Sequence, residues 1–199
     1  MTKNIKKVCA FCASSDLSDN VFLDSAFKLG EILADNSIDL VYGGGTAGCM
    51  GRLADGALSK GGNVYGIIPK FMFDLEWGSD KITELKIVDS LSERKEMMIE
   101  GTDATIVLPG GSGTLEELFE VITLKRLGLY LSPIILVNTK NFFDPCLALL
   151  DRSIKERFMD ERNGKMWEVV ASVDNVLQAI EYSIAWSADS RKYATLRNK

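Results

Sequence analysis

Short apolar runs alternate with helical patterns along most of this 199-residue chain, and that alternation leaves few architectures open. Strands are predicted at 6–12, 39–42, 63–68, 84–88, 104–108, 133–137 and 168–171. Helices are predicted at 20–35, 47–60, 91–101, 115–127, 145–157 and 174–184. Several strands are apolar without interruption, as in Ala104-Thr105-Ile106-Val107-Leu108. Such runs suit parallel strands covered on both faces, whereas half-exposed strands alternate polar and apolar. Strand-helix alternation with short links then implies an α/β, doubly wound, mainly parallel sheet flanked by helices on both faces. The expectation is one domain over 1–186 and a mobile polar tail over 187–199. Ligands of such sheets sit at the carboxyl ends of the strands, near a topological switch point.

Composition removes several chemistries. There is no histidine, which excludes Ser-His-Asp triads, Cys-His dyads, His-ligated zinc and imidazole bases. The net charge of −5 argues against a protein held to nucleic acid by bulk positive charge. No stretch approaches the roughly 18 apolar residues of a membrane span, and the apolar run after the basic N-terminus is too short for a signal peptide. Cys9 and Cys12 form a C-x-x-C, but no second pair completes a metal site. On a strand, residues three apart point to opposite faces. Buried reduced thiols in a cytoplasmic protein are therefore expected, with no metal and no cofactor.

Three loops could carry chemistry. Tyr42-Gly43-Gly44-Gly45-Thr46-Ala47-Gly48-Cys49-Met50-Gly51 follows a strand and opens a helix. Its glycines let backbone approach a ligand, and the helix N-terminus offers amides to an anion. Gly43, Gly45 and Gly48 spell G-x-G-x-x-G, yet the next strand ends at Ile68-Pro69-Lys70 without the acidic residue that a dinucleotide-binding fingerprint needs. The second loop is Pro109-Gly110-Gly111-Ser112-Gly113-Thr114-Leu115-Glu116-Glu117. It too is a phosphate cradle by composition, without the lysine of a Walker A loop. Thr114 and Glu117 also fit a capping box, a structural alternative to a chemical role for Glu117. The third is Ser90-Leu91-Ser92-Glu93-Arg94-Lys95. Ser90 and Glu93 fit another capping box. Arg94 and Lys95 place cations near a helix start, where the macrodipole disfavours them. They read either as a phosphate or sugar clamp or as a solvated helix face. The link over 69–83, with Phe71, Met72, Phe73 and Trp77, reads as a lid or substrate loop, or as a loop packed on the core.

Together these loops resemble the LOG ("lonely guy") family of cytokinin riboside 5′-monophosphate phosphoribohydrolases. The signature P-G-G-x-G-T-x-x-E is complete from Pro109 to Glu117. Y-G-G-G-x-x-G-x-M-G runs from Tyr42 to Gly51, and E-R-K is Glu93-Arg94-Lys95. The resemblance covers residues 8–160. It implies a Rossmann-like fold, a homodimer or larger assembly, and hydrolysis of the N-glycosidic bond of a purine nucleoside 5′-monophosphate, of AMP or N6-modified adenine type. Free base and ribose 5-phosphate are the products. It implies Arg94 and Glu117 as catalytic residues. Implied substrate contacts are Glu76, Lys95, Gly110, Gly111, Ser112, Gly113, Thr114, Glu116 and Thr123. From the loop reading, Gly43, Gly44, Gly45 and Ser14 join the binding set.

The chain departs from the family at Ser92, where histidine is common, at Ala13 within Cys12-Ala13-Ser14-Ser15, and at Leu75, where an arginine commonly precedes the residue at Glu76. The last departure bears on base selectivity. Family members are often labelled lysine decarboxylases, but no residue here argues for a pyridoxal-phosphate lysine. The competing reading is a non-catalytic nucleotide-binding carrier or sensor, similar to molybdenum-cofactor carriers. It needs the cradles but not the pairing of Arg94 with Glu117. A dehydrogenase is disfavoured by the missing carboxylate.

Overall fold

A computed structural model describes residues 4–75 and 77–196. Seven parallel strands form one sheet: β1 (Lys7–Phe11), β2 (Asp39–Tyr42), β3 (Val64–Pro69), β4 (Glu84–Val88), β5 (Ala104–Val107), β6 (Ile134–Val137) and β7 (Glu168–Val170), in the order β4-β3-β2-β1-β5-β6-β7. All seven lie where the apolar runs place them. The chain winds outward from β1 to β4, then returns to pair β5 on the other side of β1, so that Val8 aligns with both Leu40 and Ala104. The switch point lies between β1 and β5.

The side-chain period of two splits each buried strand between two cores. Val8, Ala10 and Cys12 face α1 (Asn20–Asp35), α2 (Gly48–Ser59) and α7 (Val176–Tyr182). Cys9 and Phe11 face the opposite core with Met98, Leu118 and Leu150, from α4 (Leu91–Ile99), α5 (Ser112–Arg126) and α6 (Asp144–Lys155). Cys9 and Cys12 thus lie in different cores, as free thiols. Among the described residues no helix is long and apolar enough to cross a membrane, and no cluster could hold a metal ion.

One expectation is corrected, that for Thr114. The helix predicted from 115 begins at Ser112, with Gly111 as its N-cap and no side-chain cap. Thr114 is therefore the third helical residue, and the Thr114–Glu117 capping box does not exist. Gly111 has an extended backbone, so three further residues join the helix without a hydroxyl cap. Within the segment expected to be a mobile tail, Ala188–Tyr193 form a 3₁₀ helix. Trp186 Nε1 and Ser190 Oγ both donate to the Lys125 carbonyl, at 2.8 and 3.3 Å. The Arg162 guanidinium stacks 3.8 Å from the Tyr193 ring centroid.

Candidate active site

A cleft of about 440 Å³ opens at the carboxyl ends of the strands, beside the switch point. Its walls come from the loops after β1, β2 and β5, from α4, and from the segment after β3. This is where the sheet topology predicts a ligand.

Arg94 is the central cation. Its helix starts cleanly: Ser90 Oγ accepts from the Glu93 amide at 3.1 Å, and the Glu93 carboxylate accepts from the Asp89 amide at 2.9 Å. The reciprocal bond thus goes to Asp89, one residue before the cap. That start aims Arg94 inward, where it is 9% exposed. The solvated-face alternative fails for this residue. Its Nε donates to the Ile67 carbonyl at 3.1 Å, and its Nη1 to Glu117 Oε1 at 2.9 Å. Gly43 makes room for this arrangement: a Cβ there would sit 2.2 Å from Arg94 Nη2.

Glu117 is 6% exposed and lines the cleft. Burial pushes its carboxyl up to about 7, while the Arg94 guanidinium pulls the other way and neighbouring Glu116 adds to the rise. Near neutrality this carboxyl gains and loses its proton readily, which suits acid–base work. Among the described residues no group bonds its Oε2.

The start of α5 supplies the second element. Leu115 donates to the Gly111 carbonyl, but the amides of Ser112, Gly113 and Thr114 meet no acceptor among the described residues. A helix N-terminus with free amides attracts anions, and these residues line the cleft. The first glycine loop differs. The Gly48 amide donates to Asp16 Oδ1 at 2.7 Å, and the Met50 amide to the Ala13 carbonyl at 3.0 Å. That loop walls the cleft, but the first and third amides of its helix are already taken.

Of the expected site residues, Ser14, Gly43, Gly45, Arg94, Gly111, Ser112, Gly113, Thr114 and Glu117 converge on the cleft. Gly44 turns away: its carbonyl accepts from the Ser79 amide at 3.0 Å. Gly110 lies against the Thr114 side chain. Lys95 and Glu116 pair with each other beside the cleft. Thr123 is exposed on α5 and bonds the Phe119 carbonyl at 2.8 Å. Glu76 falls outside the described residues. Met50 and Ile68, expected in no site role, also line the cleft, as do Met72 and Trp77 from the link expected as a lid or substrate loop. The unpatterned aromatic stretch after Pro69 was the available signal for the last two.

The model of a family described as possible lysine decarboxylase matches residues 50–180. Cytokinin riboside 5′-monophosphate phosphoribohydrolase LOG of Oryza sativa subsp. japonica is 35% identical over 188 residues, covering 91% of this chain and 78% of its own. LOG1 of Arabidopsis thaliana is 40% identical over 154 residues, covering 77% and 72%. The chain belongs to the LOG family. Among solved structures, the molybdenum cofactor carrier protein of Chlamydomonas reinhardtii superposes with a TM-score of 0.68 at 19% identity, over 89% of this chain and 96% of that one. The molybdenum cofactor binding protein of Rippkaea orientalis gives 0.64 at 18%, over 90% and 97%. At such identities the likeness is one of fold. As for decarboxylase chemistry, no lysine lines the cleft of this LOG-family chain among the described residues. The site does not fit a Schiff-base cofactor.

Proposed function

We propose that the protein hydrolyses the N-glycosidic bond of a purine nucleoside 5′-monophosphate, with AMP and N6-modified adenine nucleotides as the substrate class. The observation that carries this reading is the buried Arg94–Glu117 pair lining one cleft together with the first residues of α5, Ser112, Gly113 and Thr114. A carrier needs the amides but has no use for a carboxyl poised near neutrality. In this reading the 5′-phosphate docks on the amides of Ser112, Gly113 and Thr114. The purine lies against Met50, Ile68, Met72 and Trp77, and C1′ of the ribose faces Glu117. As the bond to the base breaks, positive charge builds on the ribose. Ionised Glu117 stabilises that charge and takes a proton from the attacking water. The hydroxyl adds to C1′, the departing base nitrogen takes up a proton from solvent, and Glu117 returns the proton it took from water, so that one water is divided between ribose 5-phosphate and free base. Phosphate binding, remote from the reacting bond, orients the sugar. Arg94 holds Glu117 in place. The family resemblance further implies a homodimer, and the stripe of Glu116, Phe119, Thr123 and Leu127 on α5 is exposed for a second copy to cover.

Incubating the protein with AMP and with N6-isopentenyl-AMP, and resolving products by chromatography, tests the reading. Free base from wild type is expected, reduced about 10²–10⁴-fold in Glu117→Gln and about 10²–10³-fold in Arg94→Ala. Nucleotide binding without base release would reject hydrolysis and favour the carrier. The pH profile adds a second check. If ionised Glu117 is the working form, kcat/KM climbs as pH rises through about 7 and levels off above it. A fall through the same range would assign Glu117 as a proton donor instead.

A further inference from the structure

Lys95 follows Arg94 on α4, and the two residues engage two successive residues of α5. Arg94 takes Glu117. Lys95 Nζ contacts the Glu116 carboxylate and lies 2.5 Å from Glu120 Oε2. The Lys95 side chain is 14% exposed, against 32% for Glu120 and 58% for Glu116, so the lysine is enclosed between the helices while the Glu116 carboxylate reaches solvent. α4 (Leu91–Ile99) is docked on its core by Met98, with Met97 and Ile99 partly buried beside it, and its charged residues Arg94 and Lys95 link it in addition to α5.

We propose that Lys95 is a positioning residue: by bridging Glu116 and Glu120 it ties α4 to α5, keeps the Arg94–Glu117 pair in register, and cancels carboxylate charge beside Glu117. This differs from the substrate contact that the family resemblance implies for Lys95, and its kinetic consequences rest on the phosphoribohydrolase reading. The groups facing Glu117 are few. Arg94 and Lys95 come from α4, Glu116 from α5 itself, and the thiols from Cys9 on β1 and Cys12 just after it; Glu120, on the same helix, meets Lys95. Burial pushes both thiols up, so they stay neutral and leave the balance to Arg94, Lys95 and Glu116. Glu116 raises the Glu117 carboxyl and Lys95 lowers it. Loss of Lys95 therefore leaves Glu117 harder to ionise.

The test is a ¹³C NMR titration of protein labelled at the glutamate carboxyls, with Glu117→Gln assigning the resonance, run beside pH profiles of base release. Lys95→Met should move the Glu117 titration up by about one pH unit. At pH 7 kcat should fall about fivefold, in proportion to the ionised fraction, and converge on wild type at high pH. Lys95→Arg should restore both. Glu116→Gln with Glu120→Gln, in a chain that keeps Lys95, should move the titration down, so the proposal is tested even if Lys95→Met fails to fold. A raised KM with kcat and the Glu117 titration unchanged would overturn the proposal and return Lys95 to the substrate. Since the titration needs no turnover, absence of base release would reject the phosphoribohydrolase reading while leaving this one decided on its own.

Discussion

The loop before α2 and the loop before α5 read alike and are wired differently. Each leaves a buried strand, carries three or more glycines and opens a helix facing the cleft. At α2 the first amide is bonded to Asp16 and the third to Ala13, both in the loop after β1. At α5 the first three residues line the cleft, and their amides have no acceptor among the described residues. The difference follows from what lies alongside. The β1 loop lies against α2, and its own polar groups consume the helix dipole there. A glycine-rich turn before a helix thus marks crowded backbone. Whether it marks an anion site depends on where every amide goes.

The sharpest way to break the contrast is at the paired helix starts, Gly48 and Ser112. Gly48 has φ of +59°, and a Cβ would lie 2.6 Å from Ser14 backbone carbon. Gly48→Ala combines a left-handed L-residue with overpacking against backbone. We expect a stability loss of roughly 2–4 kcal/mol and a Tm lower by about 10 °C, read by calorimetry. A stable Gly48→Ala protein would mean that the two loops do not interlock as described.

Ser112→Pro probes the other loop. Ser112 is the first residue of α5 and follows an extended Gly111, a setting in which proline is tolerated. The substitution removes one cleft-facing amide and little else of the fold. One lost charge-assisted bond is worth roughly 1.5–3 kcal/mol, so KM for AMP should rise about 10- to 100-fold with Tm nearly unchanged. Ser112→Ala keeps the amide and separates the hydroxyl's share. An unchanged KM in Ser112→Pro would move the phosphate elsewhere.

How much of this was readable in advance follows from the same physics. Buried parallel strands announce themselves as apolar runs, so the five inner strands were legible, as was the C-x-x-C split between cores; the edge strands β4 and β7 are more exposed and were legible from the strand-helix alternation. The site was legible by motif but not by direction. Glu117 fits a local capping rule so well that its inward turn shows only once α5 is seen to start at Ser112. Arg94 and Lys95 look equivalent on paper, yet one lies under the cleft and the other beside it. That distinction depends on how α4 meets α5 and on the space at Gly43, neither of which is a local property. The contacts of Trp186 and Ser190 were hidden for a similar reason, because both reach the Lys125 carbonyl, distant in sequence.

The smallest effect is the most discriminating for the two loops. Asp16→Ala frees the Gly48 amide by deleting its acceptor. As the loss of a helix-capping carboxylate it should cost about 1 kcal/mol, a Tm shift of roughly 2–4 °C. Nucleotide affinity distinguishes two views of the first loop. If its amides serve only to fasten the β1 loop, the KM for AMP stays where it was, because the phosphate never used them. If instead Asp16 were holding an anion subsite shut, its removal would tighten the binding of inorganic phosphate, measured by calorimetry, and the second helix start would no longer be the sole cradle. The Met50–Ala13 bond argues for the first outcome: it keeps the β1 loop on α2 even when the carboxylate is gone, so the opened amide meets water rather than a phosphate.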